Sequence, residues 1–270
     1  MYFYICDNFA KKSKYSKKLE QISLKLAKLG IGDERAQISL LRPIEEIIRE
    51  ALMDKRCTNI VAIGDDKVAT QSIDMIAHSG RKIAFGIIPL KPSKIAESLG
   101  MPNDLDVCCQ EISSRKIARV DLGKVDDYYF LTSVGIKVFP ENTLSSVFKK
   151  VFRKKSPIIN FDFLEGYKIQ AQVEEYSIIN MPTADDMKKI KEGNIESRVN
   201  PRDGLLDVLI CENGTNSRKK SSFLQTRKLS IETKSKIEIN IGGIKMKKSA
   251  MKFKVYPKYL DLIVGKNRLF

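Results

Sequence analysis

The chain has 270 residues, of which 43% are hydrophobic and 30% are charged. This balance is typical of a soluble globular protein of one large or two ordinary domains, and no apolar run reaches the roughly 18 residues of a membrane-spanning helix. The net charge of +15 favours anionic partners, such as nucleic acid, acidic membranes or phosphorylated small molecules, without choosing among them.

The sequence lacks the features of several further classes of protein. The N-terminus lacks a basic leader and a long apolar segment, so we expect a cytoplasmic location. The five cysteines lack the paired spacing of a zinc site, and the single histidine, His78, gives little basis for a histidine-activated nucleophile.

Strand and helix patterns alternate in the first half of the chain. Four strands are predicted, at residues 2–6, 36–41, 59–63 and 83–88. Apolar residues at helical spacing mark helices around Ile22 and Ile47, Pro43 suits a first helical turn, and a third helix begins near Val68. This alternation predicts an α/β domain with a Rossmann-like parallel sheet and helices on both faces.

The second half is rich in β-strand patterns and poor in long helical ones. Strand-rich segments are predicted at residues 126–138, 167–180, 205–211, 235–241 and 250–264. We therefore expect an antiparallel β-sandwich domain over residues 118–264, after an α/β domain over 1–117 to which the tail 265–270 returns. The Lys- and Ser-rich residues 213–222 are predicted to form a loop.

Two loops are candidate ligand-binding sites because they follow strands of the parallel sheet and open helices. They are residues 61–67 and 86–96. Backbone N–H groups and the positive end of a helix at such loops face a bound phosphate. Two local alternatives remain open: Asp65 is a helix N-cap, and the lysines of these loops are solvated surface charge.

The two loops resemble the signature motifs of the diacylglycerol, sphingosine and NAD kinase superfamily, which read G-G-D-G-T and, in the lipid kinases, approximately P-L-G-T-x-N-D-x-A. The similarity continues in the same order over most of the chain, at residues 98–102, 119–124, 129–131 and 203–208. It implies the two-domain fold of that family, with ATP and magnesium as cofactors and a lipid hydroxyl as phosphoryl acceptor.

The resemblance also implies roles for individual residues. Asp65 would be the catalytic carboxylate, and Asp203 with the backbone carbonyl of Leu205 would bind magnesium, although Asp203 also suits a turn into the next strand. The implied nucleotide-binding residues are Asn8, Gly64, Asp65, Lys67, Pro89, Lys91 and Lys94.

Three departures from the family motifs affect the residues expected to bind phosphate or to act as general base. Residues 63–67 read I-G-D-D-K, so Ile63 and Asp66 place side chains where the family has glycine, while Lys67 offers a compensating cation. Residues 91–95 read K-P-S-K-I and lack the second glycine. The D-G-E segment that supplies the general base is replaced by I-G-G-I at residues 241–244, which leaves Asp66, Asp207 or Asp261 as substitute bases.

Two functions follow as hypotheses. One is an ATP-dependent lipid kinase with an altered site, and the other is a non-catalytic relative, or pseudokinase, that binds a nucleotide, a lipid or a protein partner. Residues 148–155 interleave aromatic and basic residues, which suits either an anionic membrane surface or a solvated loop. Nucleic acid is not an expected partner, because no nucleic-acid-binding motif is present, and the oligomeric state is open, a homodimer included.

Overall fold

The computed structural model describes residues 1–32, 34–137, 158–163, 166–193, 195, 199–212 and 220–270. The candidate membrane segment at residues 148–155 and most of the predicted loop at 213–222 lie outside this part of the chain. No described helix is both long enough and apolar enough to cross a membrane.

The N-terminal part is a parallel sheet with helices on both faces, as predicted. Its strands are β1 (Tyr2–Cys6), β2 (Glu34–Gln37), β3 (Asn59–Gly64) and β4 (Ala84–Pro89). They lie in the order β2-β1-β3-β4, and β1, β3 and β4 are buried along their whole length, which explains their continuous apolar sequence. The helices are α1 (Ser13–Lys28), α2 (Ile44–Met53), α3 (Asp66–Ser79), α4 (Lys94–Ser98) and α5 (Leu105–Ser114).

The second predicted strand was placed too far along the chain. β2 ends at Gln37, and Ser39 and Arg42 exchange backbone hydrogen bonds of 3.0 and 3.3 Å across a tight turn. Leu40 and Leu41 at the tip of this turn are 98% and 95% exposed. Their apolar side chains resembled a strand, but the chain must reverse here to reach α2; Pro43 is the N-cap of that helix and not part of its first turn.

The second part is antiparallel, as predicted. Its strands are β5 (Ile117–Val125), β6 (Tyr128–Phe130), β7 (Ser133–Lys137), β8 (Ile158–Phe163), β9 (Tyr167–Ile179), β10 (Leu206–Glu212), β11 (Lys220–Thr226), β12 (Lys228–Ile241) and β13 (Ile244–Ile263). The long strands β9 and β12 each pair with β7 at one end and with β8 at the other, so the sheet folds over an apolar core.

One helix of the second part, α6 (Ala184–Glu192), was not predicted. Its apolar residue Ile190 packs with Ile179 of β9 and Leu209 of β10 on the outer face of the sheet. A capping box between Thr183 and Asp186 fixes its first turn, and this T-x-x-D spacing was the available sequence signal.

Strand β13 joins the two parts. It pairs with β12 and β5, and its last residues Asp261 and Leu262 pair in parallel with β4. The tail then runs along the N-terminal part, where Gly265 N–H donates to Leu99 O at 2.9 Å and Leu269 N–H donates to Ser98 O at 3.1 Å. The antiparallel strands thereby continue the parallel sheet at β4, and the division at residues 117/118 stays a prediction.

Candidate active site between the two parts

The carboxyl ends of β1 and β3 meet at one edge of the parallel sheet, and each leads into a capped helical turn. Asp7 accepts the N–H of Phe9 at 3.2 Å, and Asp65 accepts the N–H of Lys67 at 3.1 Å. Both carboxylates therefore lie at helix N-termini, where the backbone dipoles favour negative charge. Asp65 serves as the cap of α3, and its catalytic role stays a prediction.

Gly64 is needed because the strand ends approach closely. A Cβ atom at Gly64 would lie 2.8 Å from the Cβ of Asp7, closer than side chains tolerate. The backbone on both sides is tied down, since Asp7 N–H donates to Ile63 O and Leu90 N–H donates to Gly64 O, each at 3.0 Å. The retained motif glycine thus brings three neighbouring strand ends together.

Lys91 is engaged inside this cluster. Its Nζ lies 3.6 Å from Oδ2 of Asp65 and 3.4 Å from the centroid of the Phe9 ring. Burial raises the pKa of Asp7, the nearby Asp65 carboxylate adds to the shift, and Lys91 opposes it. Lys91 therefore offsets two neighbouring carboxylates, which lowers the positive charge available to an external phosphate.

Asp66 occupies the donors at the start of α4. Its carboxylate accepts the hydroxyl of Ser93, the N–H of Lys94 at 3.0 Å and the N–H of Ile95 at 3.2 Å. These are the kinds of donor that would hold a phosphate after β4. An internal carboxylate thus takes the place of an anionic ligand at the second loop.

A polar cleft of about 1040 Å³ opens between the two parts of the chain. Its wall includes Asp66, α4, α6 and the β12–β13 hairpin, and few of its side chains are apolar. Its lysines are Lys94, Lys188, Lys189, Lys236, Lys245 and Lys247. Its acidic residues are Asp66, Glu175, Asp185, Asp186, Glu192 and Glu238. Such charged side chains suit a hydrogen-bonding, anionic or cationic group of a ligand.

Several of these charges neutralise one another. Lys94 of α4 reaches across the cleft to Asp185 of α6 at 2.6 Å, and this contact raises the pKa of Lys94 and lowers that of Asp185. Lys236 and Lys247 form no ion pair with any described residue, nor does Lys67, which is exposed at the start of α3. Lys236 and Lys247 are therefore the unpaired lysines of the cleft wall, and Lys67 lies beside the hairpin residue Gly243.

The hairpin between β12 and β13 closes over the start of α3. Its two central residues, Gly242 and Gly243, have φ of +52° and +92°, and Thr70 Oγ1 of α3 donates to Gly242 O at 3.3 Å. A Cβ atom at Gly242 would lie 1.9 Å from Thr70 Oγ1. Both the φ angles and the close approach require glycine, so the segment that lacks a carboxylate is packed against the first loop.

No family model matches the chain. Among solved structures, the chain is similar to a diacylglycerol kinase from Bacillus anthracis, with a TM-score of 0.73 and 14% identity over 98% of this chain and 96% of that one. It is also similar to an NAD kinase from Archaeoglobus fulgidus solved in complex with ATP, with a TM-score of 0.61 and 10% identity over 100% of this chain and 96% of that one. The chain has the two-domain fold of these kinases. This similarity confirms the predicted fold class, and the resemblance seen in the motifs extends to the overall fold.

The predicted nucleotide-binding residues lie at the carboxyl edge of the parallel sheet in this fold. Asn8 is exposed after β1, whereas Pro89 is buried at the end of β4 and pairs with Gly64. Lys67 is exposed, while Lys91 and Lys94 are both ion-paired. The set thus shares one edge of the sheet, but only Lys94 of it lines the cleft, and ligand binding by each residue stays a prediction.

The predicted magnesium residues lie in a turn before β10. Asp203 accepts the N–H of Leu205 at 2.9 Å, as expected of the turn alternative. Buried Asp121 accepts the N–H of Gly204 and that of Lys258, each at 2.7 Å, and so ties this turn to β13. Among the described residues no group of three His, Cys, Asp or Glu side chains is placed to hold a metal ion. Magnesium binding by Asp203 and the Leu205 carbonyl stays a prediction.

Two features of the cleft were missed in the sequence. The first is Asp185, which belongs to the unpredicted helix α6. The second is the hydrogen bonding of Asp66 to donors that lie 27–29 residues further along the chain, a pairing that no local pattern reveals. The negative side chain at Asp66 was recognised, but its partners at α4 were not.

Proposed function

We propose that this chain is a lipid-kinase-type protein that binds a nucleoside triphosphate in the interdomain cleft and transfers its terminal phosphoryl group slowly to a lipid hydroxyl. The observation that carries the proposal is the convergence of the two strand-end loops and the residue 241–244 hairpin on one polar cleft, in the fold of the kinases compared above. Phosphoryl transfer depends mainly on positioning and on cations around the transferred group, and a cleft of this kind supplies both.

The chain's own residues suggest how the ligand is held. Lys236 and Lys247 of the cleft wall supply positive charge, and Lys67 is exposed at the start of α3. A phosphate at the start of α4 would have to displace the Asp66 carboxylate from the N–H groups of Lys94 and Ile95. A lipid acceptor would place its polar head among the charged side chains of the cleft.

The low rate follows from the hairpin. Residues 241–244 offer no carboxylate to take the proton from the acceptor hydroxyl, and general-base assistance is worth about 10²- to 10⁴-fold in rate. Asp66 is the acidic residue of the first loop that lines the cleft, but its oxygens already accept three hydrogen bonds. A proton acceptor that is held in this way is poorly placed to replace the missing base.

A second candidate is a non-catalytic protein that uses the cleft only for binding. The specific observation in its favour is the same engagement of Asp66, which fills the donor positions at α4 and so competes with a phosphate. The two candidates share the ligand and differ in turnover.

The deciding experiment measures transfer of labelled phosphate from ATP, with magnesium, to a panel of lipids by the purified chain. Asp65→Asn keeps an N-cap and removes the charge, whereas Asp65→Ala removes both, so the pair separates a chemical role from a folding role. We expect slow transfer that falls in both variants. Transfer by the wild type that is no faster than that by the variants, with ATP binding intact, would contradict catalysis and favour the non-catalytic candidate.

A further inference from the structure

The turn after β2 places two leucines in solvent without any described partner. Leu40 and Leu41 are 98% and 95% exposed, the highest values of any large apolar residue described. The hydrogen bonds between Ser39 and Arg42 hold them together as the two central residues of a tight turn. The two adjacent side chains form a small apolar patch at the tip of the turn, whose hydration is unfavourable.

This tip lies at the same edge of the parallel sheet as a cluster of lysines. Gln37 and Ile38 at the end of β2 hydrogen-bond to Cys6 and Asp7 at the end of β1, and α1 begins one short turn later. The exposed lysines at the start of this helix are Lys12, Lys14, Lys17 and Lys18. None of them forms an ion pair with another described residue.

The concentration of positive charge has a cost in the isolated protein. The first turn of α1 contains no acidic residue, and its cap Lys12 makes no side-chain capping bond. Cations at a helix N-terminus are unfavourable because they oppose the helix dipole. Lys14, Lys17 and Lys18 also share one helix face, so they repel one another. An anionic surface next to this face would relieve both effects.

We propose that Leu40 and Leu41 insert into the interface of an anionic lipid membrane, with the lysines of α1 against the lipid headgroups. Two leucines on a convex turn are far too few to form a protein interface, because a stable one buries about 800 Å² on each partner. They suit the boundary between headgroups and acyl chains, where apolar and basic residues act together.

The location of the tip fits the proposed lipid acceptor. β2 lies two strands from β3, about 10 Å away, and both end at the same edge of the sheet. A membrane against this edge would lie on the same side of the sheet's strands as the two strand-end loops. The direction of docking rests on the proposed function, but binding to a membrane requires neither nucleotide nor turnover.

The test uses tryptophan as a reporter, since the chain contains none. Leu41→Trp is compared with Met53→Trp, because Met53 is 73% exposed at the opposite end of α2, away from the carboxyl edge. The vesicles are phosphatidylcholine alone or mixed with phosphatidylglycerol, without nucleotide. We expect a blue shift of fluorescence for Leu41→Trp on anionic vesicles only, and no shift for Met53→Trp.

Vesicle co-sedimentation gives the strength of the effect. Leu40→Ser/Leu41→Ser should bind anionic vesicles about 100-fold more weakly than the wild type, and Lys14→Gln/Lys17→Gln about 30-fold more weakly at low salt. Met53→Ser should bind as the wild type does. Equal binding by the leucine variant, equal shifts for both tryptophan variants, or a loss of self-association in the leucine variant by analytical ultracentrifugation would overturn the proposal. Absence of wild-type binding would overturn it too, whatever the result of the kinase assay.

Discussion

Replacing Asp66 with glycine should open the anion-binding position at α4. The side chain now accepts one hydroxyl and two backbone N–H groups, and Asp66→Gly releases all three donors. Hydrogen bonds to a charged group contribute about 1.5–3 kcal/mol, so a phosphate that no longer has to displace the carboxylate gains on this order. This predicts roughly 10- to 100-fold tighter binding of ATP.

The same substitution should make the ligand-free protein less stable. Loss of the bonds that tie α4 to the start of α3 is expected to lower the free energy of unfolding by about 1–3 kcal/mol. Asp104→Gly is the matched control, because Asp104 caps α5 by accepting the N–H of Val107 at 2.9 Å and is not part of the cleft lining. This control loses a helix cap without releasing donors in the cleft.

Calorimetric titration of each protein with ATP measures the effect, and urea unfolding confirms that each variant is folded. Asp66→Gly should bind more tightly than the wild type, while Asp104→Gly should bind equally well. A folded Asp66→Gly variant with unchanged or weaker ATP binding would refute the reasoning, because the carboxylate would then not compete with a ligand phosphate.

The remaining predictions concern the hairpin, a buried carboxyl group and a free cation. Gly242→Ala should lower the free energy of unfolding, measured in urea, by about 2–4 kcal/mol, because Gly242 has a positive φ and an added Cβ atom would overlap with α3. Gly135→Ala is the control and should be nearly neutral, because a Cβ atom there meets nothing within 4 Å. Burial raises the pKa of Asp207 to about 7, so the folded state holds a proton that the unfolded state releases near pH 4. The free energy of unfolding should therefore fall as the pH rises from about 4 to 7. Asp207→Asn should flatten this pH dependence in unfolding curves. An unchanged slope would show that this group does not set it. Lys67→Gln should weaken ATP binding about 5- to 10-fold in calorimetry, and Lys55→Gln, at the opposite edge of the sheet, should leave it unchanged; equal losses would indicate a non-specific charge effect.

The sequence was most informative where a pattern reflects local burial. The continuous apolar runs of β1, β3 and β4 predicted a buried parallel sheet, and their ends located the edge where the candidate site lies. The same reasoning failed at Leu40 and Leu41, because apolar residues in an exposed turn resemble those of a strand until the chain's reversal is known.

The details of the site depend on contacts between distant segments, which no local pattern contains. Thr70 and Gly242 are 172 residues apart, and only the folded hairpin shows why both glycines of the turn are required. Likewise, Asp66 was recognised as a negative charge in the phosphate loop. Its carboxylate accepts hydrogen bonds from N–H groups of α4 because neighbouring strand ends bring the two loops together.

The central claim is that a nucleoside triphosphate binds where the strand-end loops meet the hairpin, and hydrogen exchange of the full chain with and without ATP tests it most directly. We predict slower exchange on ATP binding at residues 64–70, 89–96 and 240–245, with little change in β8 or at the far end of β12. No protection of these three segments at saturating ATP, or protection confined to another surface, would contradict the claim.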